Sequence, residues 1–508
     1  MYVHIPTMNY ELTVIFVVII GVVDGFSLGV ALPTPRSIKF SFSSSPPPSQ
    51  ASTNSNAYSR ILRPRSQHHR CASSSLSSSS SSTIVDYLAI DIAEDAPRNI
   101  MAFDVLWAAD NGIQRCEGFK LIEEDKRAHN VYASTTTDLS TGSPILYVPE
   151  HLILSSSKAM AELRSPEMKS AEVQITNDGG ATEYRQYYLM LKLLLEIQKG
   201  KDSAWYTWLN SLPRYFTNAP AMTEYCLLCL PPLMRKLVTE ERENQHQLSN
   251  IQHVSFLSDD IKNHPRDLVK WVYQNVYTRS ISVYDAQTGE YNLQIIPMAD
   301  YFNHSSDDYI EIHSQYDEYG NYMASAAYDI PASMPLRIQY ADPRNPSHLL
   351  ARYGFLDKTC PSTYCKLLPP TINQDMLDLG YSHDRMLFYK NGQVADEVWD
   401  IFLYSYLSSM NAINDICALM EAHRTADYDA KLALHTHYYP VTCAALLEHV
   451  TSFITDIDKL ITKAETIGVS DGPSNSVYIR NEHPRLPLIH EHNLFVRETF
   501  LNVCDRYS

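Results

Sequence analysis

The spacing of hydrophobic residues changes several times along the chain, and each change marks a different kind of predicted element. Over Glu183–Lys199 apolar residues recur three and four positions apart, which predicts an amphipathic helix that ends at Gly200. Further helices are predicted over Pro232–Arg242 and Asp267–Val276. Residues 155–275 are therefore expected to form a mainly helical insert.

Short apolar runs on both sides of this insert predict strands. Pro144–Pro149 is a brief run closed by prolines, and strand-like patterns return at Leu293–Met298 and Leu336–Tyr340. Residues 361–508 read as mainly helical. We therefore predict an α+β fold, in which a small-sheet β domain with a helical insert spans residues 86–360 and an all-α domain follows it.

The N-terminus has the composition of a targeting segment. Residues 1–25 contain a short apolar run, Leu12–Val23, that resembles a signal-peptide core. Residues 26–85 are rich in serine and proline, carry arginines and contain no acidic residue, as in organelle transit peptides. A two-part leader of this kind predicts a plastid destination. The alternative is a secreted or membrane-anchored protein with a disordered stalk.

Composition and charge narrow the functional class. The 508 residues are 44% hydrophobic and 19% charged, and the formal net charge is -17. An acidic protein is a poor nucleic-acid binder, and its field favours basic protein partners. We expect a monomer that acts on a protein substrate and has no stable membrane association once the leader is removed. The nine cysteines suit a reducing compartment, and Cys226 and Cys229 are interpreted as core residues rather than zinc ligands.

Two segments combine strand-like patterns with chemically active residues. The first is Ile295–Ser305, an apolar run that ends in Asn303 and His304. The second contains Gln339-Tyr340 and then Tyr353-Gly354-Phe355. Taken singly, an Asn-His pair is typical of a turn cap and an aromatic run is typical of a core helix.

Together and in this order, the segments resemble the SET domain of the Rubisco large-subunit methyltransferase family, which includes the actin-histidine methyltransferases. The matching text is I-P-M-A-D-x-x-N-H-S, then Q-Y, then Y-G-F. In the insert, Glu196, Gly200, Ser203 and the run from Trp205 to Pro213 are similar to a further family motif. The resemblance covers roughly residues 100–360 and implies that residues 361–508 are a helical substrate-binding domain.

The resemblance implies a protein N-methyltransferase that uses S-adenosylmethionine (SAM) and acts on a lysine of a non-histone protein, with histidine as the second choice. It implies that Tyr340 and Tyr353 are catalytic and that no metal takes part. The implied cofactor-binding residues are Asn130, Arg279, Asn303, His304 and Phe355. The implied substrate-binding residues are Arg279, Asp300, Tyr340 and Tyr353.

A tyrosine-lined site suits this chemistry. Methyl transfer is an in-line displacement, so it requires alignment of a nucleophilic nitrogen rather than a metal. The nitrogen must be neutral, although a free lysine amine has a pKa of about 10.4. An aromatic channel disfavours the ammonium form by desolvation, and aromatic faces hold a methylated cation by cation–π attraction.

The chain departs from the family pattern in one glycine motif. Where the family carries Gly-x-Gly before a strand, this chain has Ala128-His129-Asn130. Asparagine tolerates a positive φ better than most residues, so Asn130 is expected to replace one glycine. Ile281 also stands where relatives have an aromatic residue. Two hypotheses follow: an active methyltransferase, or a SET-fold protein without catalysis that serves as a protein-binding or scaffolding module.

Overall fold

The structure is a computed structural model that describes residues 90–508 except 125–128, 178–182, 265, 286–288, 308–309, 343, 345, 365–371, 383–384 and 467–481. The predicted leader, residues 1–85, and Ala128 lie outside the described residues. Among the described residues no helix is long and apolar enough to cross a bilayer.

Short strands form several small sheets rather than one large sheet. The described strands are β1 (Gln114–Arg115), β2 (Phe119–Glu123), β3 (Val131–Thr135), β4 (Pro144–Val148), β5 (Leu154–Ser155), β6 (Ile281–Asp285), β7 (Glu290–Ile295), β8 (Asn303–His304), β9 (Ile312–Tyr316), β10 (Tyr322–Ala326), β11 (Arg337–Ile338), β12 (Ser362–Tyr364) and β13 (Leu387–Tyr389). The largest sheet is antiparallel, with the order β1-β4-β10-β9. A second antiparallel sheet has the order β5-β7-β6. β2 and β3 pair antiparallel, as do β12 and β13, whereas β8 and β11 pair in parallel.

Helices occupy the chain between β5 and β6, as the apolar spacing predicts. They are α1 (Ser156–Glu162), α2 (Pro166–Asn177), α3 (Glu183–Gln198), α4 (Tyr206–Ser211), α5 (Glu224–Leu228), α6 (Pro232–Leu248), α7 (Asp259–Lys262) and α8 (Leu268–Arg279). A π-helical segment, Ala102–Trp107, precedes the sheets and continues as Ala108–Asp110. Helix α3 has no exposed apolar face, because the residues from Leu189 to Leu191 are buried with Leu193 and Leu194. It therefore forms the centre of the insert.

The C-terminal region is helical and has its own core. Its helices, with the one that leads into it, are α9 (Pro346–Tyr353), α10 (Gln374–Asp378), α11 (Asp396–Ser409), α12 (Ile413–Arg424), α13 (Tyr428–Thr466) and α14 (Leu486–Tyr507). Phe388, Leu446 and Phe500 are fully buried in one apolar cluster of this region. Small antiparallel sheets, a helical insert and a helical C-terminal region together confirm the predicted α+β fold class.

The predicted strand Leu293–Met298 ends earlier in the structure than its apolar run suggests. The run Leu293–Met298 leaves the sheet at Ile295, because Pro297 has no N–H to donate to a ladder. Met298 then adopts φ 78° and begins a tight turn over Ala299–Tyr301. A buried non-glycine residue with positive φ is a strained turn, so the apolar run serves to reverse the chain rather than to extend the strand.

The cysteine pair of the insert lies in an apolar core. Cys226 of α5 and Cys229, which directly follows α5, are fully buried in a cluster with Leu350 and Ile489. Within the described ranges, no three histidine, cysteine or acidic side chains are arranged to hold a metal ion.

Candidate active site

A parallel pair of two-residue strands brings the two motif segments together. In this pair Asn303 lies opposite Arg337, and His304 lies opposite Ile338. The Ser305 N–H donates to the Ile338 carbonyl at 2.9 Å and extends the pairing by one residue. Because both strands run in the same direction, the residues that follow each of them emerge at the same end. Tyr340 is thereby placed next to His304.

His304 links the two segments through its ring. The Tyr340 N–H donates to Nδ1 of His304 at 3.0 Å, which leaves the ring proton on Nε2, 3.0 Å from the Ser306 hydroxyl. Burial lowers the pKa of His304 to about 4. The imidazole is therefore neutral at physiological pH, and its tautomer is set by a backbone hydrogen bond.

Four aromatic rings meet at this point, and we call them the aromatic cluster: His304, Tyr340, Tyr353 and Phe355. The ring centres of Tyr340 and Tyr353 are 4.9 Å apart, and His304 lies 5.5 Å from Tyr340 and 5.6 Å from Phe355. These are the distances of aromatic packing. Every ring is half-buried, so one side of the cluster remains open.

The tyrosine hydroxyls of the cluster donate to backbone carbonyls. Tyr340 donates to Phe302 at 2.6 Å, and Tyr353 donates to the Tyr340 carbonyl at 3.4 Å. Burial raises the pKa of both hydroxyls, so both stay protonated and neutral. The hydrogen bond of Tyr353 is long, which leaves its hydroxyl available for a second partner.

The position of Tyr353 is set by the turn that ends α9. Gly354 follows with φ 83°, and a Cβ there would approach the backbone nitrogen of Asn218 to 2.6 Å. Only glycine fits such a place. The amide of Asn218 donates to the Arg352 carbonyl at 3.2 Å, and the Thr217 hydroxyl donates to the Gly354 carbonyl. The insert thus holds the end of the helix that carries Tyr353.

A buried ion pair supports the turn before Asn303. Arg279 donates to the Asp300 carboxylate at 2.9 Å and to its carbonyl at 2.7 Å. The Trp208 indole donates to the same carboxylate at 3.1 Å, and the Tyr301 ring lies 4.8 Å from the Arg279 guanidinium. Burial opposes the charge of Arg279, but Asp300 and the neighbouring hydroxyls outweigh it, so the pKa of Arg279 is raised.

Asn130 reaches the same site from another sheet. Its side-chain oxygen accepts a hydrogen bond from the Asn303 amide at 3.3 Å. Asn130 is not among the described residues with positive φ, although the loss of glycine suggested that it would be. Asn130 therefore does not replace a glycine by adopting a positive φ.

Comparisons with known proteins were made on sequence and on structure. No family model matches the chain, and no curated protein matches it by sequence. Among solved structures, the SET domain of LSMT bound to lysine and AdoHcy is 16% identical, covers 80% of this chain and 90% of its own, and has a TM-score of 0.54. Rubisco LSMT bound to AdoMet is 16% identical, covers 81% and 92% respectively, and has a TM-score of 0.52. Rubisco LSMT bound to sinefungin and monomethyllysine, 15% identical, has a TM-score of 0.53.

The chain has a SET-domain fold. The likeness runs through the helical C-terminal region, because it covers 80% of the chain. In this SET fold all the site residues predicted from the motifs lie around one candidate active site. Asn303, which contacts Asn130, directly precedes His304 of the aromatic cluster, and the Arg279–Asp300 pair supports the turn before Asn303. Ile281 begins β6, two residues after Arg279.

Some supporting residues of the SET fold were missed from the sequence. Thr217 and Asn218 lie four and five residues after the motif of the insert, but nothing in their spacing indicates that they hold Gly354. Trp208 was noted only as part of that motif, and its hydrogen bond to Asp300 was not anticipated. Arg352 was overlooked, although it directly precedes the Y-G-F motif.

Proposed function

We propose that the protein is a SAM-dependent protein N-methyltransferase that acts on a lysine of a non-histone protein, with histidine as the second target type. The observation that carries the proposal is the aromatic cluster. Its rings come from three separate stretches of chain and meet beside Asn303, with one side open. The solved SET structures with the same fold hold AdoMet or AdoHcy, and some hold lysine or monomethyllysine.

The donor groups at the site fit SAM, which carries a carboxylate, an ammonium group, hydroxyls and an adenine. The side-chain amides of Asn130 and Asn303 supply both donors and acceptors. Arg279 supplies a cation whose Nε has no hydrogen-bond partner among the described residues. We assign Asn303, Asn130 and His304 to the cofactor, with Phe355 as an aromatic wall.

When bound, SAM supplies an electrophilic methyl group on a sulfonium. The protein's own residues then have two tasks. The half-buried rings of Tyr340 and Tyr353 desolvate an incoming lysine amine, which favours its neutral, nucleophilic form. Their neutral hydroxyls and the Tyr340 carbonyl can accept hydrogen bonds from the amine and orient it, and the proton that the ammonium form loses goes to solvent.

The test is calorimetric titration of the protein with SAM, with Asn303→Ala and Tyr353→Phe as variants. We expect micromolar binding that Asn303→Ala abolishes and Tyr353→Phe retains. The reason is that the Asn303 amide forms hydrogen bonds with the cofactor, whereas the Tyr353 hydroxyl does not. Transfer of a labelled methyl group to lysine-rich protein substrate should then be lost in Tyr353→Phe. Asn321→Ala serves as a control, since that amide binds Asp317 in a distant turn.

The competing function is a protein-binding or scaffolding module. It is favoured by the absence of the Gly-x-Gly motif at residues 128–130. A folded protein that binds no SAM would exclude the first function and favour the second. The acidic charge of -17 suits encounter with a basic protein in either case. We further propose that the protein works as a monomer and, from the leader composition, that it works in a plastid.

A further inference from the structure

Tyr353 is weakly held by its own hydroxyl, so its position depends on what contacts its ring. Among the described residues the hydroxyl makes one hydrogen bond, to the Tyr340 carbonyl, and it is 3.4 Å long. The guanidinium carbon of Arg352 lies 5.3 Å from the centre of the Tyr353 ring. That distance is within the range of cation–π attraction, so Arg352 is a candidate for fixing the ring.

Arg352 is itself held in a buried polar group between three helices. Its guanidinium carbon lies 4.3 Å from the Tyr277 ring of α8. The Tyr277 hydroxyl donates to Glu241 of α6 at 2.5 Å, and the Tyr273 hydroxyl donates to the Glu241 carbonyl at 3.3 Å. The rings of Tyr273 and Tyr277 are stacked with centres 5.3 Å apart. The contacts therefore run from Glu241 to Tyr353 without a break.

The two charged side chains of this buried polar group, Glu241 and Arg352, each have a polar atom without a hydrogen bond among the described residues. Oε2 of Glu241 and Nε of Arg352 are buried and have no partner among the described residues. The two groups meet through Tyr277, which contacts both, and the carboxylate is one of the charges that favour the ionised Arg352 against its burial. Loss of the negative charge would remove this support and leave the contacts of Arg352 with the Tyr277 and Tyr353 rings.

We propose that Arg352 is a positioning residue for Tyr353 and that the negative charge of Glu241 holds Arg352 in place. The part of this inference that concerns methyl transfer rests on the proposed function. The contacts that connect Glu241, Arg352 and Tyr353 are independent of that function.

Glu241 can change its charge near neutral pH. Burial raises its pKa to about 7, against the opposing effects of Arg352 and the Tyr277 hydroxyl. The titratable or charged groups that act on it are Arg352, Tyr277, Tyr273, Glu240 and Glu183. The two other carboxylates raise the pKa further, and no second cation joins them in this set. The environment of the Tyr353 ring should therefore change with pH around neutrality.

The first experiment measures this coupling without any ligand. The protein is labelled with ¹³Cζ-tyrosine, and the Tyr353 signal is assigned by its loss in Tyr353→Phe. We expect the signal to shift in one step centred at about pH 7. The step should vanish in Glu241→Gln, which keeps the acceptor for Tyr277, and in Arg352→Met, but persist in Arg352→Lys. No step in the wild type, or a step retained in Glu241→Gln, overturns the proposal.

The second experiment tests whether the position of the Tyr353 ring affects ligand binding at the candidate active site. Sinefungin carries an amine where SAM carries its methyl sulfonium, whereas AdoHcy carries neither. In Arg352→Met we expect about a fivefold loss of sinefungin affinity with AdoHcy affinity unchanged, the scale of one cation–π contact. Arg506→Met is the matched control, because it removes a similar contact to Tyr507 in α14.

The two experiments separate the two proposals. If the wild type binds neither ligand, the proposed function fails, and the ¹³C step still decides the role of Arg352. Equal losses for both ligands in Arg352→Met would mean that the arginine supports the fold in general. That result would overturn its specific role at Tyr353.

Discussion

Asp300 and Asp400 are equally buried aspartates in different parts of the molecule, yet their partners differ. Asp300, beside the candidate site, is 0% exposed and pairs with Arg279, which is 11% exposed. Asp400, in α11 of the C-terminal region, is 1% exposed. It pairs with Lys431 at 2.6 Å and His435 at 2.8 Å, both about one-fifth exposed. The Arg279–Asp300 pair is enclosed, whereas the partners of Asp400 are partly open to water.

This difference indicates what each region tolerates. If an enclosed cation loses its anion, no water can solvate the cation in the anion's place. The unpaired charge then lowers the stability of the fold. A partly exposed cation keeps part of its hydration, so the loss of its anion costs less free energy. The site region is therefore expected to be rigid and sensitive to substitution, and the C-terminal region is expected to be more tolerant.

The strongest test of this contrast is Asp300→Ala. It leaves Arg279 buried without an anion, so the free energy of unfolding should fall by about 3–5 kcal/mol. SAM binding should be lost as well, because the turn that precedes Asn303 loses its support. Urea denaturation and calorimetry measure the two effects. An unchanged unfolding free energy would mean that the pair contributes no net stability.

Gly354→Ala tests the same region through sterics rather than charge. The new Cβ would meet the backbone of Asn218 at 2.6 Å, and the residue would retain a positive φ. We expect a loss of about 2–4 kcal/mol in unfolding free energy. Gly200→Ala is the control, because φ there is 57° but nothing lies within 4 Å. Equal losses in both variants would contradict the steric explanation.

The pH dependence of His492 examines the contact between the two regions. His492 of α14 lies 2.9 Å from the Ser347 hydroxyl at the start of α9, and burial lowers its pKa to about 4. The unfolded chain, with an ordinary pKa near 6.5, therefore binds the proton first as the pH falls. From pH 7 to pH 5 this residue should remove about 2 kcal/mol of stability. In His492→Gln that loss should be absent from urea titrations at the two pH values.

Asp400→Asn should have the smallest effect. Its neutral amide retains one acceptor, and Lys431 and His435 keep contact with solvent. We expect a loss of about 1 kcal/mol in unfolding free energy and no change in SAM affinity. A loss of SAM binding in this variant would show that the two regions are not independent in the way the contrast implies.

The sequence predicted the site residues better than the supports behind them. Asn303, His304, Tyr340 and Tyr353 stand in a linear pattern, so a resemblance of short motifs was enough to nominate them. The structure places them in contact, which is consistent with that nomination. Helices such as α3 were also predictable, because their periodicity is local.

The supports depend on contacts between distant residues, which no local pattern records. Glu241 lies in a polar stretch of α6 and gives no sign that it will be buried against Tyr277. The short strands β8 and β11 are likewise defined by each other rather than by propensity. Lys431 and His435 are four residues apart on one helix, and that spacing could have suggested their shared partner.

The parallel pairing of β8 with β11 has a consequence for the synthesis of the protein. Asn303 and His304 leave the ribosome well before their partner strand, since His304 and Tyr340 are separated by 36 residues. Until that strand emerges, the two residues have no ladder to join, and the aromatic cluster does not exist. The nascent chain therefore has no ligand-binding site here at that stage, although the helices of the insert can already form. Ligand binding during translation should begin only after the whole of α9 has emerged.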